Sequence, residues 1–189
     1  MSVTEMLAAL TIAALGIGVS GPSMSTMFKS WKLTCAARDL ATELQRTRME
    51  AVARGASAGI QFETSPGGDR WRLYLDGGSR GIHAAEIATG IDTPASPFFD
   101  LASRYPGVRF GIARSGAPRI PPASGSLAPG DDPIALGGTD IFSSSPTGES
   151  SSGTLYLTDG GAMRAVMVFG ATGRIRIWSY DGRTGQWRS

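Results

Sequence analysis

The sequence predicts an α+β fold in which one long N-terminal helix packs on an antiparallel β-sheet. Residues 6–28 carry no charge, residues 29–54 repeat apolar side chains at helical spacing, and from residue 57 apolar and polar side chains alternate. A period near 3.6 residues indicates an amphipathic helix, and a period of two indicates a half-buried strand. We therefore expect an apolar stem at residues 1–28, an amphipathic half of the same helix at 29–55, and a β-rich globular domain at 56–189.

The stem is long enough to cross a membrane, since a spanning helix needs about 20 apolar residues. Glu5 is the only charged residue before Lys29. A carboxylate at the edge of an apolar segment is costly in lipid, which indicates a partner or a function. Pro22 removes one helical hydrogen bond and follows several glycines, so we expect a kink or a melted stretch near residues 16–22.

The amphipathic half is predicted from its two faces. Charged residues occupy much of the surface outside a single apolar stripe, and Gly55 is a suitable residue to end the helix. The stripe that should support the sheet consists of Leu33, Ala37, Leu40, Leu44 and Ala51.

Alternation predicts strands around residues 60–62, 71–75 and 108–110, with a turn at 66–69. Residues 153–179 predict an antiparallel meander with turns at 159–161 and 170–173, followed by a polar tail from Tyr180. Residues 113–152 are rich in glycine, proline and serine and have no clear period. They predict a long surface loop, with at most a short strand at 134–136.

Composition limits the chemistry that this chain can perform. Cys35 is the only cysteine, so the chain cannot form an internal disulfide or a cysteine metal site. His83 is the only histidine and no G-x-S-x-G motif is present, so nucleophilic catalysis lacks its usual groups. We expect a protein that is not an enzyme and has no cofactor.

Two weak motifs remain as alternatives. Residues 16–21 spell G-x-G-x-x-G, but this motif binds dinucleotides only within a strand–turn–helix unit. Asp131, Asp132 and Asp140 could supply oxygen ligands to Ca²⁺, although their spacing fits no defined calcium loop. Solvated loop carboxylates are the favoured interpretation, and no metal site is predicted.

The first residues, Met-Ser-Val-Thr-Glu-Met-Leu, resemble the start of a mature type IV pilin or pseudopilin. The resemblance implies that a prepilin peptidase removes a leader and that the new N-terminus is methylated. It assigns assembly roles to Met1, Glu5 and Pro22, although phenylalanine is usual where Met1 stands. Basic residues follow the stem and none precedes it, so the positive-inside rule alone would place the domain in the cytoplasm. We therefore expect a basic leader before Met1.

Two further segments resemble GspH/FimT-like pseudopilins. Residues 36–52, AARDLATELQRTRMEAV, are similar to the family's helix, and residues 153–178 are similar to its C-terminal strands, with a G-R-x-R element at 173–176. The resemblance implies a pilin fold. It also implies a structural subunit of a type II secretion pseudopilus or a type IV pilus.

The implied partners are other pilins in a helical filament, the prepilin peptidase, the inner-membrane assembly platform and membrane lipid. The implied location is the bacterial inner membrane with a periplasmic domain, and then the filament. In a filament, Glu5 could neutralise the N-terminal ammonium of a neighbouring subunit in a low dielectric. An alternative function is DNA binding during uptake, which the resemblance assigns to Arg174 and Arg176. Both arginines should project from one face of a strand.

Overall fold

The computed structural model describes residues 3–65, 68–121 and 123–189, and for residues 5–26 it describes the backbone alone. Met1 and the side chains of Glu5 and Pro22, which the sequence assigns to assembly, therefore lie outside the described part. The same holds for residues 66 and 67, half of the predicted turn at residues 66–69.

A long helix followed by antiparallel sheets confirms the predicted α+β class. In chain order the elements are α1 (Val3–Arg54), β1 (Ala58–Ser65), β2 (Gly68–Leu75), α2 (Ala84–Thr89), β3 (Thr93–Pro94), β4 (Phe99–Asp100), α3 (Leu101–Arg104), β5 (Arg109–Phe110), β6 (Ala117–Pro118), β7 (Ser126–Leu127), β8 (Ile134–Leu136), β9 (Ile141–Ser144), β10 (Gly153–Thr158), β11 (Met163–Phe169), β12 (Arg174–Asp181) and β13 (Gln186–Arg188).

Helix α1 runs without interruption through residues 16–22. Of the predicted kink or melted stretch, the melted stretch is therefore wrong for the isolated chain. A bend at this position stays a prediction. The helix ends as expected before Gly55, which has φ of 64°. Among the residues open to description, no helix combines the length and mean hydropathy needed to cross a bilayer.

The first sheet has the strand order β3-β2-β1-β9, and β4 also pairs with β2. Strands β1 and β2 form a hairpin whose register runs from the pair Ala58–Leu75 to the pair Ser65–Gly68. The two alternating segments predicted at residues 60–62 and 71–75 are therefore confirmed as neighbours in one sheet.

The second sheet has the order β13-β12-β11-β10-β5, with β8 also paired to β10. Strands β10, β11 and β12 form the predicted antiparallel meander. The predicted polar tail is partly wrong, because β13 returns and pairs with the end of β12. Trp187 on β13 is half-buried, and its apolar area favours packing on the sheet over a solvated tail.

The core lies where the amphipathic half of α1 meets both sheets, and the predicted stripe is confirmed. Apolar side chains of the two sheets, including Phe62, Leu155 and Val166, pack against this stripe. Burial of this area is the main favourable term for attaching the helix. Among the α1 side chains that the structure describes, those with no exposed surface are Leu33, Ala36, Ala37, Leu40, Leu44 and Ala51.

The prediction of a long loop at residues 113–152 is wrong in part. This segment contains four short strands, β6 to β9, of which only the one at residues 134–136 was expected. Strand β9 pairs with β1, so it belongs to the first sheet. The large apolar side chains of the segment are buried, which explains why it is ordered: Ile120, Leu127, Ile134, Leu136, Ile141 and Phe142.

A polar contact and an aromatic cluster join the two sheets. The carboxylate of Asp69 on β2 accepts a hydrogen bond from the Phe110 backbone N–H on β5. Phe110 also meets Phe62 edge to face, with ring centroids 5.7 Å apart. Such pairs add about 0.5–1.5 kcal/mol beyond burial of their area. The two sheets and the helix therefore share one core.

Candidate assembly helix and basic strand face

The outward side of α1 exposes large apolar side chains where the helix enters the domain. Met27 is 75% exposed, Phe28 58% and Trp31 65%. Positions 28 and 31 lie three residues apart, so their side chains are neighbours on the helix surface. Large exposed apolar groups of this kind mark surfaces that contact other proteins or lipid.

One flank of α1 is tied to the domain by a polar cluster around Asp39. The Tyr105 hydroxyl donates to Asp39 Oδ2 at 2.5 Å, and Arg104 Nη2 lies 3.3 Å from the same oxygen. Burial raises the pKa of Tyr105 to about 12, and the hydrogen bond to Asp39 acts in the same direction. The phenol therefore keeps its proton and remains a donor at neutral pH.

The other flank of α1 is tied by Arg48, which joins the two segments that carry the family resemblance. Its Nε donates to the Gly148 carbonyl at 2.8 Å. Its guanidinium covers Gly173, where φ is +62° and a Cβ would lie 2.3 Å from Arg48 Nε. Glycine is favoured there by the backbone conformation, and any side chain would have to displace the Arg48 guanidinium. The sequence did not predict this contact.

Strand β12 places Arg174 and Arg176 on one face and Ile175 and Ile177 on the other. The two isoleucines pack toward the core. Arg174 is exposed and Arg176 is half-buried. Within the described ranges, neither guanidinium lies within 4.0 Å of a carboxylate, so both charges are available. The geometric prediction that the two arginines share a face agrees with the strand pairing.

The neighbours of the two arginines are apolar and aromatic. Phe169 pairs with Arg174 across the strands, and Met167 pairs with Arg176. Phe169 is 37% exposed. Further along the same face, Trp178 lies beside a small second core that segment 112–127 forms on the sheet. The exposed end of this face therefore combines cations with an aromatic surface.

Segment 112–127 is held on the outer face of the second sheet by Trp187. The Trp187 Nε1–H donates to the Pro118 carbonyl at 2.7 Å. The ring also lies 5.1 Å from Tyr180 and 6.0 Å from Tyr156, measured between centroids. Because β13 supplies this tryptophan, the C-terminal hairpin fixes the covering segment.

The group of three carboxylates that converges in the structure differs from the three chosen from the sequence. Of those three, Asp132 and Asp140 lie near each other, and burial followed by the charge of Asp132 raises the pKa of Asp140. Asp131 and Asp132 accept backbone hydrogen bonds within their own turns. The described acidic side chains that could hold a cation are Asp76, Glu86 and Asp92, whose ligand atoms lie within 4.8 Å of one another.

Two members of this acidic group already have structural roles. Asp76 accepts from the Gly78 and Gly81 N–H groups, and Asp92 accepts from the Gly77 and His83 N–H groups. These bonds hold loop 76–83 in shape. His83 itself is exposed, and its Nε2 lies 3.0 Å from the Arg80 carbonyl oxygen.

The G-x-G-x-x-G motif and the single cysteine both lie in α1. Residues 16–21 are helical throughout, so the strand–turn–helix unit that a dinucleotide requires is missing at the motif. Cys35 is a free, half-buried thiol.

Comparison with known proteins is consistent with this architecture. The sequence model of the family described as type II transport protein GspH matches residues 36–173, well over half of the chain. The chain is also 28% identical over 177 residues to the pilin-like protein PilA1 of Thermus thermophilus, covering 94% of this chain and 96% of that protein. No solved structure matches. The family match includes Arg48 and Gly173 and stops directly before Arg174.

Proposed function

Because this chain belongs to the GspH family, whose members are pilin-like structural subunits, we propose that it assembles through α1 into a helical filament. The filament would be a type II secretion pseudopilus or a type IV pilus. The resemblance of the first seven residues to a mature pilin and the family match support the same class of protein.

The observation that carries the proposal is the length of α1 relative to its core contacts. The described core begins at Leu33, whereas the helix begins at Val3. The preceding part of the helix would extend about 45 Å at 1.5 Å per residue. The uncharged segment 6–28 and the exposed Phe28 and Trp31 suit packing against other helices or lipid.

Before assembly, residues 6–28 would anchor the subunit in the inner membrane with its domain in the periplasm. A prepilin peptidase would process and methylate the N-terminus, and the inner-membrane assembly platform would add the subunit to the filament. In the filament, the Glu5 carboxylate would pair with the N-terminal ammonium of a neighbour. Each charge would be costly alone in the low dielectric of the helix bundle, so the pair would also set the axial register.

A substitution of Glu5 tests this assignment directly. We expect Glu5→Val to enter the membrane normally and to appear in sheared filaments at least tenfold less than the wild type. An unpaired buried ammonium costs about 3–5 kcal/mol, which supports a reduction of this size. Thr11→Val is a matched control, because it also replaces a polar stem residue with valine. Equal incorporation of Glu5→Val and Thr11→Val would remove the assigned role.

The exposed end of β12 favours DNA binding as a second candidate function. Arg174 and Arg176 could contact phosphates, and Phe169 offers a surface on which a base could stack. We expect weak binding without sequence preference. For duplex DNA, Arg174→Gln with Arg176→Gln should lower the salt slope by about 1.8, at about 0.9 for each phosphate that is no longer neutralised.

The measurement is a gel shift with the full chain in detergent over a salt series. Arg38→Gln with Arg80→Gln is the control, since it removes the same charge from two other exposed arginines. The idea fails if both double variants bind with the wild-type affinity and salt slope.

A further inference from the structure

A polar cleft lies where the apolar stem meets the domain. It has a volume of about 650 Å³. One wall is formed by the α1 residues Lys29 and Ser30, and the others by the β10–β11 turn and the ends of β12 and β13. Its charged lining residues are Lys29, Arg164, Arg188, Asp159 and Asp181.

The two carboxylates of this cleft are already engaged. Asp159 Oδ1 accepts from the Gly161 and Ala162 N–H groups of its own turn. Asp181 accepts from the Arg183 N–H, and its Oδ2 lies 3.3 Å from Arg188 Nη2. Backbone hydrogen bonding, with Arg183 first, holds the pKa of Asp181 below its usual value. Three cationic side chains face these two carboxylates, so the lining carries a net charge of three minus two, or +1.

Arg164 is the half-buried cation of this cleft. Its guanidinium donates to the Met163 carbonyl at 3.0 Å and to Thr34 Oγ1 at 3.3 Å. Throughout the described ranges, no carboxylate lies within 4.0 Å of it. Burial lowers the pKa of Arg164, and Asp159 offsets this only partly. A half-buried guanidinium that has only a more distant carboxylate, Asp159, is incompletely compensated, so the geometry favours an anion in direct contact with it.

The position of the cleft indicates the source of that anion. Lys29 directly follows the uncharged segment 6–28, and α1 is continuous across the junction. Trp31, two residues further on, is exposed. Tryptophan next to lysine at the end of an apolar helix is typical of the membrane–water interface. The cleft would therefore lie at the level of the lipid headgroups.

We infer that this cleft binds the phosphate of an anionic phospholipid headgroup while the subunit waits in the membrane. The inference rests on the proposed function, because it needs residues 6–28 to span the bilayer. Arg164 would form two parallel hydrogen bonds to the phosphate, and Lys29 and Arg188 would add point charge. Release of the headgroup would accompany transfer of the subunit into the filament.

The test uses the full chain in nanodiscs of phosphatidylcholine with a minor fraction of phosphatidylglycerol. Native mass spectrometry counts the lipids that stay bound after release. We expect the wild type to retain phosphatidylglycerol in excess. Arg164→Gln should lower the excess about fivefold, because each basic group near the surface contributes about 1 kcal/mol. Arg164→Lys should retain part of it, and Arg80→Gln, a distant exposed arginine, should retain all of it.

Each of the other outcomes is informative. Insertion into nanodiscs without enrichment of phosphatidylglycerol would contradict this inference alone. If Arg164→Gln retains the wild-type enrichment of phosphatidylglycerol, the lipid binds elsewhere and the assignment of this cleft is wrong. Phosphorus NMR follows the binding of inorganic phosphate to the chain in nanodiscs of phosphatidylcholine alone. If inorganic phosphate binds there as tightly as phosphatidylglycerol binds in the mixed nanodiscs, the cleft is a site for a soluble anion instead. A chain that does not enter nanodiscs at all would contradict the proposed membrane anchor and this inference with it.

Discussion

Arg48 and Gly173 show how a single contact can join distant parts of the chain. The arginine lies on α1 and the glycine lies in the turn before β12. The guanidinium occupies the space that any side chain at position 173 would need. The helix and the turn that presents Arg174 are thus positioned by the same contact.

We expect Gly173→Ala to lower the free energy of unfolding by about 2 kcal/mol. Roughly half comes from alanine at positive φ and half from displacing Arg48 from the Gly148 carbonyl. Gly185→Ala is the matched control, since Gly185 has φ of +67° and a Cβ added there would meet no atom within 4 Å. It should cost about 1 kcal/mol. Urea denaturation followed by circular dichroism measures both.

The same comparison in an Arg48→Ala background separates the two causes. There, Gly173→Ala should cost no more than Gly185→Ala, because the guanidinium that it would displace is gone. If Gly173→Ala costs the same with and without Arg48, the packing explanation is wrong.

The Tyr105–Asp39 hydrogen bond makes a pH-dependent contribution to stability. The pKa of Tyr105 in the folded protein, about 12, exceeds the ordinary value near 10. The contribution is therefore fully present below about pH 10 and is lost as the pH rises through about 12. Tyr105→Phe lacks this hydrogen bond, so its free energy of unfolding should be lower by about 1 kcal/mol at neutral pH.

We expect this difference between wild type and Tyr105→Phe to narrow as the pH rises from about 10 to about 12. Denaturation midpoints of the two proteins, measured in parallel, give the difference directly. Asp39→Asn should weaken the pH dependence, since it removes the carboxylate that favours the protonated phenol. A difference that is constant over this range would contradict the assignment.

At the scale of elements, segment 112–127 acts as a second layer on the outer face of the β10–β12 sheet. Ile120 and Leu127 fill the space above Met163 and Met167. Trp187 fixes the layer from the C-terminal hairpin. The layer leaves Arg174 and Phe169 uncovered, so it also determines which part of the sheet is open to a partner.

We expect Ile120→Ala to reduce the free energy of unfolding by about 2–4 kcal/mol, the usual cost of truncating a buried isoleucine. Ile120 is 1% exposed. Ser124→Ala, in the same segment but exposed, should change stability by less than about 0.5 kcal/mol. Chemical denaturation distinguishes the two. If Ile120→Ala and Ser124→Ala both change the free energy of unfolding by the same small amount, segment 112–127 is a surface loop and not part of the core.

The difficulty of predicting this layer has a physical cause. Its strands β6 and β7 are two residues long, too short for alternation to show. Prolines and glycines separate its apolar residues, so no period of two or 3.6 arises. By contrast, the stripe from Leu33 to Ala51 and the pairs in β10 to β12 repeat over enough residues to be recognised. The contact between Arg48 and Gly173 depends on tertiary packing, which no local pattern reveals.

At the scale of the whole molecule, the folded unit begins within α1. The first core residue in the described part is Leu33. We expect a chain that starts at Lys29 to fold as a soluble monomer and to unfold within a few degrees of the full chain. A chain that starts at Cys35 lacks Leu33 and should be about 2–5 kcal/mol less stable. Thermal unfolding by circular dichroism tests both, and aggregation of the first variant would contradict the expectation.

The stripe that holds α1 against both sheets has a mechanical consequence. Traction on the stem would load every side-chain contact from Leu33 to Ala51 at once, in shear. Contacts loaded in parallel resist force better than contacts broken one after another, as in peeling. Hydrogen bonds from Arg48 on one flank and to Asp39 on the other flank of this apolar stripe add to that resistance. Force applied along the N-terminal part of α1 would therefore move the domain as a folded unit and would not unfold it.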